Sequence, residues 1–267
     1  MGVVNVTPDS FSDGGEFLEP DAAIQHGLEL LAEGADIIDV GGESTRPGAE
    51  RPTTDVELAR VLPVVAALAE AGAVVSIDTM RPVVAEAAIG AGAGLVNDVS
   101  GGRSEPALLR LVAEAGLPYV CMHWRGHSAD MQSRAVYEDV VAEVTSELRG
   151  QLDACIAAGI APERLIVDPG LGFAKTGEHN WQLLRRLDEL DVLGVPLLVG
   201  ASRKRFLGTL LAAPDGTPRA ARDRDAASAA LSALLAERGI WGVRVHAVRA
   251  TLDAVLTADR LSENGRP

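Results

Sequence analysis

Acids, amides and cations recur in this chain at the same place: directly after short apolar runs. Asn5 opens NVTPDSFSDGG, Asp39 opens DVGGESTRPG, and Asp78 sits in SIDT. Asn97 and Asp98 open NDVSGG, His123 lies in CMHW, and Asp168 opens DPGLGFAK. Ser202, Arg203 and Lys204 lie in GASRKRF, Arg244 and His246 in VRVHAV. One or two such residues would be ordinary turn chemistry, because Asp and Asn cap helices and initiate turns. Repetition at every run points to a shared mouth. Along the chain the charges segregate, with Asp78, Asn97 and Asp168 first and Arg203, Lys204, Arg244 and His246 last. Carboxylates and an amide read hydrogen-bond donors, whereas cations beside Gly200 and Ser202 suit an anion. The layout suits a ligand with a donor-rich ring and an anionic end, and spacing alone goes no further.

Eight apolar runs must carry these groups: Gly2–Val6, Asp36–Val40, Val74–Ile77, Leu95–Val96, Tyr119–Met122, Leu165–Val167, Pro196–Val199 and Val243–Val245. Helical periodicity separates them, as in Ile24, Leu28 and Leu31, in Leu58, Val61, Val65 and Leu68, and in Leu108, Leu111 and Val112. Pro82, Ser104 ahead of Pro106, and Pro162 mark helix starts; Gly34, Gly72, Gly116, Gly159 and Gly239 mark stops. Apolar strands alternating with helices predict a parallel sheet, and eight units predict a single-domain α/β fold, a closed (β/α)8 barrel of eight parallel strands with outer helices. Residues 1–260 are expected to form it, with a polar tail over 261–267 and a flexible excursion over Pro214–Arg224. In such barrels the loops after the strands hold the active site, and those after strands seven and eight are the usual phosphate corner.

Composition narrows the function. The 267 residues are 47% hydrophobic but only 3% aromatic, so Ala, Val, Leu and Ile must build the core. A net charge of −14 without a basic run argues against nucleic acid or an anionic membrane as partner. No apolar stretch reaches the ~18 residues of a membrane span, and no signal peptide opens the chain, so a cytoplasmic protein is expected. Cys121 and Cys155 lack metal-site spacing and read as reduced structural thiols. Of 24 basic residues only Lys175 and Lys204 are lysines, which singles both out.

MGVVNVTPDSFSDGG, GADIIDVGGESTRPG, SIDTMR, LVNDVSGG, DPGLGFAK, GASRKRF and GVRVH together resemble the ordered motifs of dihydropteroate synthases, the pterin-binding barrel enzymes. The resemblance runs from Met1 to about Val255. It implies a transferase of folate biosynthesis that joins 6-hydroxymethyl-7,8-dihydropterin diphosphate to p-aminobenzoate, with Mg²⁺, in a homodimer. It implies Asp78, Asn97, Met122, Asp168, Phe173, Gly200 and Lys204 around the pterin, with Asp168 accepting the two parallel donors of its edge. Asn5, Arg244 and His246 are implied for the diphosphate, Asn5 also ligating the metal. Phe11, Thr45, Arg46, Pro47, Phe173, Ser202 and Arg203 are implied around p-aminobenzoate, its carboxylate against a helix starting at Ser202. Asp13 and Arg46 join Asp78 and Lys204 in the catalytic set. Thr7–Gly15 is expected to be a mobile lid.

Each residue has a plainer reading too: Asp168 as a turn initiator, Asn97 as a cap, Lys204 as a solvated lysine, Met122 and Phe173 as core. Arg244 could be a buried ion-pair partner and His246 a satisfied core histidine. Lys175 is expected to be a rim or loop-positioning residue, both lysines lying in polar loops, which argues against a Schiff-base aldolase. A pterin-dependent methyltransferase barrel and a non-catalytic pterin-binding paralogue compete with the synthase reading. Against both stand TPDSF, ESTRPG and SRK, present together and intact. Two departures from the family pattern stand out. Ala247 follows His246 where the family usually has Asp, and the first strand begins so early that the barrel floor is expected to lack its plug unless residues upstream or the tail cover it.

Overall fold

A computed structural model of the chain describes residues 1–7, 20–44, 49, 51–127 and 131–263. Eight strands alternate with helices: β1 (Gly2–Asn5), α1 (Pro20–Ala32), β2 (Ile38–Gly41), α2 (Thr54–Glu70), β3 (Val75–Asp78), α3 (Pro82–Gly90), β4 (Leu95–Asp98) and α4 (Ala107–Ala115). The second half runs β5 (Tyr119–Met122), α5 (Val140–Ala157), β6 (Leu165–Asp168), α6 (Gly177–Arg185), β7 (Leu198–Val199), α7 (Arg205–Leu210), α8 (Asp225–Glu237), β8 (Gly242–Val243) and α9 (Val248–Glu263). β1 to β6 pair in sequence order, all parallel, and β7 pairs β8. Parallel bridges Val167↔Leu197 and Gly2↔Val245 join the two sheets at both edges. The ring is therefore closed, and the expected barrel is what forms.

Alternation along the strands sorts the side chains. Val4, Ile38, Val40, Val75, Ile77, Val96, Tyr119, Cys121, Leu165, Val167, Leu197, Val199 and Val245 pack outward with the helices in one large core. The opposite face turns into the barrel, because successive residues of a strand point to opposite sides. There Leu95, Val120, Ile166 and Leu198 form a separate cluster, with Met1 and Ile37 against it. The expected gap in the barrel floor is thus filled. The Met1 ammonium donates to Val243 O at 3.0 Å, and Val245 N donates to Met1 O at 2.9 Å.

Local chemistry explains the helix ends. Thr53 caps α2, Asp139 accepts from Val141 N and Ala142 N at the start of α5, and Thr176 forms a capping box with His179 on α6. Pro82 opens α3, whereas Pro162 opens a single 3-10 turn, Pro162–Arg164, too close to β6 for an α-helix. All five expected stop glycines adopt positive φ, and at Gly34 (φ 102°) a Cβ would also lie 2.6 Å from Leu252. On α1 the buried stripe is Ala23, Gly27 and Leu30, one residue before the expected Ile24, Leu28 and Leu31, which flank it. Gly27 sets that rotation: a Cβ there would lie 2.7 Å from Leu68, so its missing side chain lets α1 settle on α2.

Two further expectations change. The Pro214–Arg224 excursion is tied down, since Arg219 N donates to Gly208 O and buried Arg224 donates to Arg219 O and Arg203 O, both at 2.7 Å. α9 continues through Leu261 to Glu263, into the stretch expected to be tail. Asp98, buried outside the ring, accepts from Ser100 N (2.7 Å), Gly102 N (2.8 Å) and the Tyr119 hydroxyl (2.7 Å). It fixes the loop directly after Asn97. Asp98→Ala would orphan three buried donors and should lower stability by about 3 kcal/mol in urea unfolding; a loss under about 1 kcal/mol would remove it as the loop's anchor.

Candidate active site

The inward positions at the C-terminal strand ends are polar. Register aligns Asn5 with Gly41, Gly41 with Asp78, Asp78 with Asn97, and Met122 with Asp168. Gly200 and Arg244 continue the row past β7 and β8, with Arg244 N donating to Val199 O. Below this row lie the apolar floor residues. Short strands thus give a barrel with a greasy base and a charged mouth.

Arg244 crosses the interior. Its Nε donates to Asp39 Oδ2 at 2.6 Å and its Nη2 to Asp78 Oδ2 at 3.0 Å, while Asn97 Nδ2 donates to the same Asp39 oxygen at 3.0 Å. Asp39 is fully buried and one layer beneath the mouth, and its Oδ1 has no partner among the described residues. Its place in DVGGESTRPG does not by itself mark it as a site residue. The signal that could is parity: a carboxylate at an inward position inside a four-residue strand needs a cation to face. Burial, and then the negative charge of Asp39, push the Asp78 carboxyl well above the ordinary range.

Across the mouth, Asp168 accepts from Gly170 N at 2.7 Å through Oδ1. Its Oδ2 lies 3.5 Å from where Gly200 would carry a Cβ, so glycine there keeps the space beside the carboxylate open. Burial raises the Asp168 pKa, and Lys204 opposes the rise. Lys204 Nζ donates to Leu171 O and stands 4.4 Å from the centre of the Phe173 ring. Burial lowers that ammonium to about 8, with Asp168 pulling the other way. Met80, Val99 and Met122 form a small apolar wall against which Phe173 packs. Asp78, Asn97, Met122, Asp168, Phe173, Gly200 and Lys204 therefore meet around one space.

The phosphate corner is arranged differently from expectation. The helix begins at Arg205, not Ser202, with Lys204 in the capping position and Arg203 at φ 58°. α7 has only six residues. Arg203 N donates to Ser228 Oγ at 3.1 Å and its guanidinium pairs with both Asp225 oxygens at 2.6 and 2.7 Å. Arg203 thus turns to α8, and its N–H is already committed to a side chain. Ser202 stays at the corner, with its Oγ accepting from His246 N at 3.2 Å and lying 3.0 Å from His246 Nδ1. Ser202 thus orients the imidazole that Ala247 follows. Burial and the neighbouring Arg203 and Arg244 push the His246 pKa well down, so the ring is neutral. Arg244 and His246 lie beyond β8, on either side of the Val245 bridge, and share its inward side.

Asn5 closes the row at the end of β1. Phe11, Asp13, Thr45, Arg46 and Pro47 lie outside the described residues, as does the lid expected over Thr7–Gly15 apart from Thr7, which is buried. Lys175 departs most from its expected rim position: it is buried, against His123, and burial lowers its ammonium to about 7. Both lysines lie in loops, but Lys175 is out of solvent and Lys204 only partly in it, so exposure cannot be the argument against an aldolase.

The sequence profile described as "Pterin binding enzyme" matches residues 1–246. A dihydropteroate synthase of Mycobacterium leprae is 59% identical over 256 residues, covering 96% of this chain and 90% of that protein. The Yersinia pestis dihydropteroate synthase, solved with a sulfonamide drug complex, superposes with a TM-score of 0.92 at 41% identity, covering 98% of this chain and 94% of that one. The Xanthomonas albilineans dihydropteroate synthase in complex with 7,8-dihydropteroate gives 0.84 at 43% identity, covering 98% and 92%. With a barrel mouth built from these residues and likeness over nearly its whole length, the chain belongs to the pterin-binding enzyme family, among its dihydropteroate synthases.

Proposed function

We infer that this barrel condenses 6-hydroxymethyl-7,8-dihydropterin diphosphate with p-aminobenzoate to give 7,8-dihydropteroate and diphosphate, the transferase step of folate biosynthesis that its relatives are named for. The observation that carries the reading is the pairing of buried Asp168 with the open space at Gly200, walled by Met122 and Phe173. A pterin presents a 2-amino group beside a ring N–H. One carboxylate accepts both in parallel, and Asn97 reads the remaining ring edge with an amide that can donate or accept. Phe173 and Met122 would cover the ring faces, and Lys204 would lie over it.

Arg244 gives the reaction its polarity. Nε is held by Asp39, whereas Nη1 makes no protein hydrogen bond among the described residues. The diphosphate would take Nη1 and compete with Asp78 for Nη2, with His246 donating from the same side. The diphosphate thus draws countercharge from Asp78, and the cation formed as the C–O bond breaks replaces it. The bonding pair leaves with the diphosphate, and the pterin-methylene cation is stabilised by the Asp78 carboxylate beside it. The aniline lone pair of p-aminobenzoate then forms the C–N bond, and the proton shed by that nitrogen leaves with solvent or diphosphate. No covalent enzyme intermediate is needed. Ser202 N–H is the backbone donor left at the corner for the p-aminobenzoate carboxylate; Phe11, Thr45, Arg46 and Pro47 would cover its ring, and Asp13 and Arg46 would complete the catalytic set.

Mg²⁺ is part of the proposal. Among the described residues no group of three His, Cys, Asp or Glu side chains could cage a metal. Asn5 offers one hard amide oxygen at the mouth, which fits an ion that keeps its waters and binds chiefly through substrate phosphates. Bound there, it would neutralise the leaving diphosphate. We also propose a homodimer, on the ground that Leu234, Trp241 and Leu256 on α8, α9 and the turn between them are 59%, 45% and 57% exposed. No helix among the described residues is long and apolar enough to cross a membrane, consistent with a cytoplasmic site of action.

Purified protein supplied with both organic substrates and Mg²⁺ should release dihydropteroate, and no product under those conditions would sink the reading. Asp168→Asn should weaken pterin diphosphate binding in calorimetry by roughly 10- to 100-fold, the worth of ~1.5–3 kcal/mol for hydrogen bonds to a charged acceptor. Unchanged affinity would displace the pterin from Asp168. Asn5→Ala should raise the Mg²⁺ concentration for half-maximal rate by about tenfold, as loss of a protein ligand to a weakly held ion does. An unaltered requirement would take Asn5 out of the metal site.

A further inference from the structure

Lys175 closes DPGLGFAK and is only 4% exposed, yet among the described residues no carboxylate accepts from it. Its Nζ lies 2.8 Å from His123 Nδ1 and 3.2 Å from Phe173 O. An ammonium can only donate, so His123 Nδ1 accepts and its Nε2 carries the proton. That Nε2–H points at Glu147 Oε2, 3.1 Å away. Glu147 is in turn clamped by Arg125, whose Nε stands 3.1 and 3.2 Å from its two oxygens. An unbroken string thus runs from half-buried α5 through the fully buried imidazole to the lysine.

The string ends on a loop that needs holding. Between Asp168 and Lys175 three residues adopt left-handed backbone, Gly170 (φ 67°), Gly172 (φ 81°) and Ala174 (φ 46°), the last in a region that residues with a Cβ seldom enter. A Cβ on Gly170 would stand 2.5 Å from His123 O, so the loop is seated directly on the end of β5. Lys204 grips the same loop from the opposite side at Leu171 O. Asp168 leads into this loop and Phe173 rides on it.

We propose that Lys175 is a positioning residue of the condensation: held by His123, which Glu147 holds in turn, it fixes the Gly170–Ala174 loop that follows Asp168 and carries Phe173 against the pterin. The proposal rests on the pterin reading of the site. The charged and titratable groups facing Lys175 are Asp168 from β6, Lys204 ahead of α7, His123 and Arg125 after β5, Glu147 from α5 and His179 from α6. Burial lowers Lys175 to about 7; Asp168 and Glu147 favour its charged form, and Lys204 and Arg125 oppose it. Burial, and then the lysine's charge, hold His123 near 3, so the imidazole stays neutral throughout. The sign follows. As pH rises through about 7, Lys175 loses its proton, its bonds to His123 and Phe173 O lose their charge assistance, the loop loosens, and pterin affinity falls. A separate fall belongs to Lys204 near 8.

Calorimetry of 6-hydroxymethyl-7,8-dihydropterin diphosphate across neutral pH tests this on the full chain. The wild type should lose affinity in two steps, the first near 7. Lys175→Met should bind roughly tenfold more weakly on the acid side, the worth of a charge-assisted hydrogen bond, and lack the first step while keeping the second. Glu147→Gln keeps the string's shape but removes a charge that favours the ammonium, so the first step should move to lower pH. A Lys175→Met profile identical to wild type, or a Glu147→Gln step that does not move, overturns the proposal, and the second variant decides alone if the first does not fold. A wild type that fails to bind the pterin diphosphate at all would instead overturn the pterin reading and this proposal with it.

Discussion

One guanidinium inside the barrel ties the fold to the chemistry. Arg244 leaves β8 inward, is fixed at Nε by Asp39, and shares Nη2 with Asp78. Neither Asp39 nor Arg244 could stand there alone, since breaking a buried pair by removing one partner costs ~3–5 kcal/mol. The pair therefore constrains three strands at once: β8 must lie where its arginine reaches β2, and β3 must bring Asp78 to the same group. Asn97 adds a fourth strand through the oxygen that Asp39 already shares. What makes the arrangement more than a structural clamp is its asymmetry. Asp39 holds the end of the arginine that faces the floor, which leaves the other end able to exchange a carboxylate for a phosphate at little cost in charge balance.

This coupling also accounts for the acid and base segregation along the chain. Asp168 is buried and Asp78 largely so, and desolvation pushes both toward protonation. Cations oppose that push, Arg244 from β8 at Asp78 and Lys204 from the neighbouring β7 loop at Asp168. Closing the barrel brings the late cations of β7 and β8 up to the earlier acids. A sequence that lists its acids early and its cations late thus folds into opposed pairs.

The barrel itself is legible in the sequence because its signal is repeated. Eight apolar runs, each followed by polar residues, fix the count, and the five stop glycines hold because left-handed backbone has few other tenants. What spacing does not carry lies in the third dimension. Asp39 reads as one more strand-end acid, because the layer in which a side chain sits depends on strand stagger, not on spacing along the sequence. SRK reads as a helix opening, which would start α7 three residues early; Arg203 instead spends its turn in the left-handed region to reach Asp225. Lys175 reads as rim because lysine in a polar loop normally reaches solvent. Nothing in DPGLGFAK announces that His123, 52 residues earlier, waits beneath it.

Ala247 illustrates how a local departure is absorbed. An imidazole that is to meet an anion needs a fixed orientation, and the methyl of Ala247 provides none. Here Ser202 takes the position, accepting from the backbone N–H of His246 and meeting Nδ1 with the same hydroxyl. A hydroxyl can accept or donate, so it orients the ring without adding negative charge. The corner already has no carboxylate to spare: Asp225 is engaged with Arg203, and Asp39 and Asp78 with Arg244. Adding one beside His246 would raise its pKa and draw positive charge onto the ring. With Ser202 the ring stays neutral, its pKa held well down by burial and by Arg203 and Arg244. Orientation is then built into the fold without a charge on the imidazole.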